Sequence, residues 1–136
     1  MTTTINASPS NGIVQTADGS GVMKLQSNGV TTNALAWVNF NGTGTVAIRS
    51  SYNVSSVTDN GTGDYTVNVA TALSDANYSY VGVCRRNNAT ARVTCLAQGS
   101  ASTYDSSTTS FRFLTYTNDA GSVEDPLTVC IAVFGN

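Results

Sequence analysis

The feature that most constrains the fold is a series of short runs rich in β-branched and aromatic residues, separated by turn residues. Several runs alternate cleanly: Tyr65, Val67 and Val69 share one face of a strand, while polar residues occupy the other. No window of twelve or more residues carries the apolar stripe of an amphipathic helix. The sequence therefore predicts an all-β protein, an antiparallel β-sandwich or jelly roll. The predicted strands are Leu35–Phe40, Thr45–Ser50, Tyr52–Thr58, Asp64–Ala70, Tyr78–Cys84, Ala91–Ala97, Thr109–Tyr116 and Leu127–Phe134.

The aromatic residues divide the chain into two parts, because all of them lie between Trp37 and Phe134. Residues 1–34 have little with which to pack a core. Two short extended pieces, Ile13–Thr16 and Val22–Gln26, are separated by an Asp-Gly turn signal and flanked by Asn-Gly signals. We therefore predict an extended N-terminal hairpin or arm over residues 1–34, used for attachment or oligomerisation, and a sandwich domain over residues 35–136. The candidate attachment residues are Ile13, Val14, Val22, Met23 and Leu25.

Turn residues place several hairpins and loops. The repeated words Asn41–Gly44 and Asn60–Gly63 predict two hairpin turns. Arg85–Thr90 is interpreted as a further hairpin tip, which would allow Cys84 and Cys95 to face each other across two strands. Longer polar loops are predicted between the later strands, where a binding surface is expected.

Net charge disfavours nucleic acid as a partner, and the lengths of the apolar runs disfavour insertion into a membrane. The net charge is −2 and the pI is near 4.6, which disfavours nucleic acid, because binding to phosphates needs many Lys and Arg residues. No run approaches the roughly 18 apolar residues of a membrane span, so no membrane insertion is expected. The first residues, Met1–Ser8, have neither a basic start nor an apolar run, so we expect synthesis in a cytoplasm without a secretory signal.

The residue types needed for catalysis are scarce. The chain has no histidine, which removes the commonest general base and metal ligand. The carboxylate pairs Asp59 with Asp64 and Glu124 with Asp125 fit turns and loops better than the paired acids of a glycosidase. Its three cysteines lack metal-ligand spacing. We therefore expect no enzyme activity, no metal and no cofactor, with a small hydrolase as the least favoured alternative.

Surface contacts are the remaining candidates. We expect Trp37, Phe40, Tyr65, Phe111 and Phe113 to fill the core, as aromatic residues inside strands usually do. The loop-like setting of Tyr104 gives it no core to fill, so Tyr104 and Asp105 are candidate receptor contacts. Arg85 and Arg86, interpreted as a solvated hairpin tip, are further candidates.

Two stretches resemble bacteriophage proteins. Thr4–Ser8 followed by Gly12–Gly29 resembles a segment that recurs in tail-fibre and related structural proteins. The run Ala36–Gly44, continuing through Ile48–Val54 to Gly61–Val67, resembles a module of such proteins, notably from marine and aquatic phages. Together the two stretches cover about half of the chain, and no part after Ala91 shows a resemblance.

The resemblance implies a virion structural protein, assembled in the cytoplasm of a bacterial host. It implies a homotrimer that also contacts other virion proteins of the tail or capsid, and a host-surface glycan is a possible further partner. We expect a short fibre or fibre-head module that contacts the host. The alternatives are a capsid decoration protein and, without the phage assignment, a small carbohydrate-binding β-sandwich.

Overall fold

The fold is a sandwich of two four-stranded antiparallel sheets, with a small two-stranded ribbon before it. It is seen in a computed structural model, which describes residues 25–28, 30–86, 94–99, 101, 104–117 and 122–135. The first sheet has the strand order β4-β3-β10-β7, and the second has the order β5-β6-β9-β8. The strands are β1 (Gln26–Ser27), β2 (Val30–Thr31), β3 (Ala36–Asn41), β4 (Ala47–Tyr52), β5 (Val54–Gly61), β6 (Asp64–Val69), β7 (Ser79–Arg85), β8 (Thr94–Ala97), β9 (Ser110–Thr117) and β10 (Thr128–Phe134).

The core lies between the inner faces of the two sheets. Alternate residues of the four central strands are buried, as the period of two along a strand requires. Phe40 of the first sheet meets Tyr65 of the second edge to face, with 5.2 Å between ring centroids, and Tyr80 stacks on Phe111 at 4.8 Å. The sheet arrangement confirms the predicted all-β sandwich, and the burial of Phe40, Tyr65, Phe111 and Phe113 confirms four of the five predicted aromatic core positions.

Asn53 carries the chain from the first sheet to the second, between the end of β4 and the start of β5. Its φ of 53° is in the left-handed region, which asparagine tolerates. Its side-chain amide donates to the carbonyls of Leu35 and Thr71, and its side-chain oxygen accepts the Thr71 amide at 2.8 Å. The sharp corner is therefore fixed by hydrogen bonds to both neighbouring connections.

Three predictions from the sequence are wrong. Trp37 lies on the outer face of the first sheet, because the alternation of β3 turns Ala36, Val38 and Phe40 inward. Arg85–Thr90 does not join a hairpin, since β7 pairs with β10 and β8 pairs with β9 in the other sheet. Consequently Cys84 lies opposite Val129, and it is not paired with Cys95 in a ladder.

The predicted turns Asn41–Gly44 and Asn60–Gly63 are confirmed as the connections of β3 to β4 and of β5 to β6. Among the candidate attachment residues, Ile13, Val14, Val22 and Met23 lie outside the described residues. Leu25 is exposed. Its amide donates to the side chain of Asn33 at 2.7 Å, and its carbonyl accepts the Thr32 amide.

Candidate functional site

The outer face of the first sheet carries an apolar groove. The floor consists of the small side chains Cys130 and Ala132 on the central strand β10. Register places Trp37 of β3 and Val81 of β7 on either side of Ala132, and it places Asn39 and Val83 on either side of Cys130. Because β10 carries small residues and its neighbours carry larger ones, an open groove with a volume of about 550 Å³ runs along β10.

The walls of this groove are exposed to an unusual degree for apolar side chains. Val81 and Val83 are 59% and 66% exposed, and Trp37 is 38% exposed. Contiguous apolar surface of this kind is a candidate site of contact with another molecule. We call the surface formed by Trp37, Val81, Val83, Cys130 and Ala132 the apolar groove.

Arginine residues border one end of the apolar groove. Arg85 lies opposite Thr128, one row beyond Val83, and is exposed. Arg49 reaches the same place from β4, where its guanidinium donates to the Thr128 hydroxyl at 3.0 Å and to the Leu127 carbonyl at 2.8 Å. This end of the groove is therefore positively charged, while the five groove residues carry no charge.

The outer face of the second sheet has the opposite character. Hydroxyl and amide side chains cover it, and many bond to each other: the Asn68 amide donates to Ser56 and Thr58, and the Asn60 amide donates to Thr66 at 2.9 Å. Cross-strand pairs of this type stabilise a sheet that faces water. The sandwich is thus two-sided, with one apolar outer face and one polar outer face.

An ion pair organises the polar face. Asp64 accepts two hydrogen bonds from the Arg112 guanidinium, at 2.8 and 2.7 Å, and a third from the Tyr104 hydroxyl at 2.9 Å. These bonds hold the pKa of Asp64 below its ordinary value, with the Arg112 hydrogen bonds as the largest cause. Burial, followed by the bond to Asp64, raises the pKa of Tyr104.

The candidate receptor residues do not form one site. The Tyr104 ring lies over the Arg112 guanidinium, 4.7 Å from its carbon, and covers Gly99 closely, so Tyr104 secures its loop to the polar face. Asp105 beside it is exposed. Arg85 lies on the opposite outer face. The interpretation of Arg86 as solvated is wrong, because it is half-buried and pairs with Glu124.

The carboxylate pairs considered from the sequence have other partners. Asp59 accepts the Gly61 amide within its turn, while Asp64 is held by Arg112. Asp125 accepts the Gly63 amide and the Tyr65 hydroxyl, and Glu124 pairs with Arg86. Among the described residues, no three His, Cys, Asp or Glu side chains come together as metal ligands. The described residues also contain no helix that is long and apolar enough to cross a membrane.

Sequence reasoning missed the groove residues Val81, Val83 and Ala132 as a site. One signal was present: β10 carries apolar residues on both faces, a pattern that is typical of a strand buried on both sides. Its outer residues Cys130 and Ala132 instead form the floor of the groove.

Comparisons with known proteins identify no relative: no family model, no curated protein and no solved structure matches this chain.

Proposed function

We propose that this chain is a non-enzymatic structural protein of a bacteriophage virion. It acts as a homotrimeric short fibre or fibre-head module on the particle. The observation that carries the proposal is the apolar groove, whose uncharged side chains are exposed to water on a single subunit and would be covered by another subunit. The resemblance of Ala36–Gly44 and its continuation to phage fibre modules supports the same assignment.

In this proposal the two outer faces contact different partners. The apolar groove faces neighbouring subunits, and the hydroxyl- and amide-rich face of the second sheet stays in contact with solvent and the host surface. The aligned hydroxyl and amide groups are suited to contacts with hydrated partners such as surface glycans. Tyr104 supports this surface through Asp64 and is a positioning residue for it.

The test is the mass of the full-length protein in solution, measured by light scattering over a range of concentrations. We expect three times the chain mass of 14.1 kDa. Val83→Asp places a charge in the groove and is expected to weaken assembly at least about tenfold, because its carboxylate would lose contact with water when the interface forms. Thr58→Asp is the matched control, since it puts the same charge on the exposed polar face.

A monomeric wild-type protein at all concentrations would contradict the proposal, as would a Val83→Asp variant that assembles like the wild type. A capsid decoration protein would also be a trimer, but it would be present in a different number of copies per particle. Quantification of the protein per purified particle separates them, since a fibre is present in few copies and a decoration protein in hundreds.

A further inference from the structure

The apolar groove has the dimensions of a single extended strand. Its walls stand on β3 and β7, two inter-strand spacings apart, which is about 10 Å. Its length from the row of Ala132 to the row of Thr128 is four residues, or about 13 Å. We use the word row for one residue of β10 on the outer face together with its neighbours on β3 and β7. A strand lying along β10 would therefore place every second side chain against one of three successive rows, those of Ala132, Cys130 and Thr128.

These three rows differ in chemistry. The first row, Trp37–Ala132–Val81, is apolar, and the second, Asn39–Cys130–Val83, mixes an amide with apolar groups. The third row ends at Arg85, which is exposed and has no carboxylate partner in the described part of the chain. A matching strand would carry an apolar residue, a small polar residue and an acid at positions i, i+2 and i+4.

The N-terminal segment of this chain contains that pattern at Val14, Thr16 and Asp18. Asp18 is the only acidic residue before Leu25, and residues 1–17 carry no charged side chain. The segment thus matches the groove in both charge and spacing, because the acid lies four residues from the apolar residue just as Arg85 lies four residues from the row of Val81.

The position of Leu25 and the length of the preceding chain allow this segment to reach a neighbour. Leu25 is tied to Thr32 and Asn33, just before the start of β3. Asp18 lies seven residues before Leu25 and Val14 lies eleven residues before it, so an extended chain carries them up to about 23 and 36 Å from Leu25. A domain of this size has a radius of gyration of only about 13–14 Å, so the groove of an adjoining subunit is within reach.

We propose that the apolar groove of each subunit binds the strand Val14–Asp18 of a neighbouring copy. Val14 packs between Trp37 and Val81, Thr16 lies beside Asn39, and Asp18 pairs with Arg85. This inference rests on the proposed homo-oligomer and names the segment that joins its subunits. It also gives the aromatic-poor N-terminal segment the packing partner that it lacks on its own.

Cys130 reports directly on the occupation of the groove. The full-length protein is treated with iodoacetamide, and the alkylation rates of Cys130 and Cys84 are measured on their separate peptides by mass spectrometry. Cys84 packs against the core from the inner face and serves as the reference for unfolding. We expect slow alkylation of Cys130 in the assembled wild type, because a bound strand would cover its thiol.

Val14→Asp should accelerate Cys130 alkylation at least about tenfold while leaving Cys84 unchanged, because a carboxylate does not fit between Trp37 and Val81. Ile5→Asp is the matched control, since it introduces the same charge into the same segment outside the proposed strand, and it should have no effect. Equal rates in Val14→Asp and wild type would overturn the proposal. So would wild-type Cys130 reacting as fast as a cysteine in a short peptide.

A charge exchange tests the register. Arg85→Asp and Asp18→Arg should each accelerate Cys130 alkylation about threefold, the effect expected of an exposed ion pair, and the double variant should restore the slow rate. Additive acceleration in the double variant would overturn the pairing of Asp18 with Arg85.

Dilution identifies the source of the strand. Protection by a neighbour is lost when the trimer dissociates, whereas protection by the same chain persists in the monomer and would overturn the exchange between copies. The two proposals fail differently. A trimer whose Cys130 ignores Val14→Asp leaves the proposed function intact and removes only this strand, whereas a wild-type monomer removes the proposed function itself.

Discussion

The hydroxyl of Tyr65 lies 2.9 Å from a carboxylate oxygen of Asp125, at the end of the sandwich where two turns and a long connection meet. The same hydroxyl is 3.0 Å from the Gly42 carbonyl, and the same carboxylate oxygen accepts the Gly63 amide at 2.7 Å. Burial, and then the bond to Asp125, raises the pKa of Tyr65. The tyrosine is therefore a neutral donor that links both sheets to the segment leading into β10.

Removing this hydroxyl should weaken the fold without changing its shape. Tyr65→Phe removes the single hydroxyl proton that lies within reach of both the Asp125 carboxylate and the Gly42 carbonyl, so we expect the free energy of unfolding to fall by about 1–3 kcal/mol. Urea denaturation measures the change. Asp125→Asn keeps an acceptor for Gly63 and should cost less than Asp125→Ala. Unchanged stability in Tyr65→Phe would show that this hydroxyl contributes nothing to the link.

A comparison of alanine substitutions at two glycines distinguishes the cost of an unfavourable backbone φ from the cost of a steric clash. Gly44 and Gly63 both have a φ of 65°, which disfavours a side chain. Nothing lies within 4 Å of a Cβ built on Gly44, whereas at Gly63 the Glu124 backbone would be only 2.8 Å away. We expect Gly44→Ala to cost about 1–2 kcal/mol, and Gly63→Ala to cost about 1–3 kcal/mol more, because rigid backbone must move.

Thermal and urea unfolding of the two alanine variants measure this difference. Equal losses would mean that the approach of Glu124 to Gly63 is unimportant and that the backbone conformation alone decides. The repeated turn sequences Asn41–Gly44 and Asn60–Gly63 therefore lead to the same prediction but have different surroundings in the fold. In the second turn, the glycine in the left-handed region also lies against a distant segment of the chain.

Local patterns predicted most of the strands because alternation and turn residues act over a few positions. They also indicated the position of Trp37. Asn39 lies two residues after Trp37 and so faces the same side of β3, and a polar residue there indicates the outer face. The pairing of β7 with β10 could not be predicted in this way. It depends on contacts between residues more than 40 positions apart, such as Cys84 with Val129.

The apolar groove was unpredictable for the same reason. Trp37, Ala132 and Val81 form one row only because three strands from distant parts of the chain lie side by side in a particular register. A strand with two apolar faces, as in β10, indicates either burial on both sides or an exposed docking surface. Only the sheet order decides, and here no layer covers the outer side within the described residues.

The ion pair on the polar face predicts a loss of stability in acid. Arg112 lowers the pKa of Asp64 in the folded state, so its ionised form stabilises the fold above the ordinary aspartate pKa of about 4. This contribution is lost as the pH falls through the lowered folded pKa. The excess stability of the wild type over Asp64→Asn should therefore be constant near neutral pH and shrink below about pH 4.

Urea unfolding of the wild type, Asp64→Asn and Arg112→Gln between neutral pH and pH 2 tests this. Arg112→Gln removes the main cause of the shift, so its stability relative to the wild type should converge over the same acidic range. A stability difference that stays constant with pH would contradict the role of the ionised Asp64 carboxylate and would leave only its packing.

Trp37 gives the assembly an optical signal, because it is the single tryptophan of the chain and forms one wall of the groove. When a neighbouring subunit covers the groove, its indole loses contact with water. The emission should then lie at shorter wavelength and resist quenching by acrylamide. Dilution of the protein tests this expectation. As the trimer dissociates, the emission should shift to longer wavelength together with the fall in measured mass. Val83→Asp should need at least about tenfold higher protein concentration than the wild type to reach the short-wavelength emission, and Thr58→Asp should follow the wild type. An emission that does not change while the measured mass falls would show that subunits meet through another surface, and the groove would then lose its place as the interface.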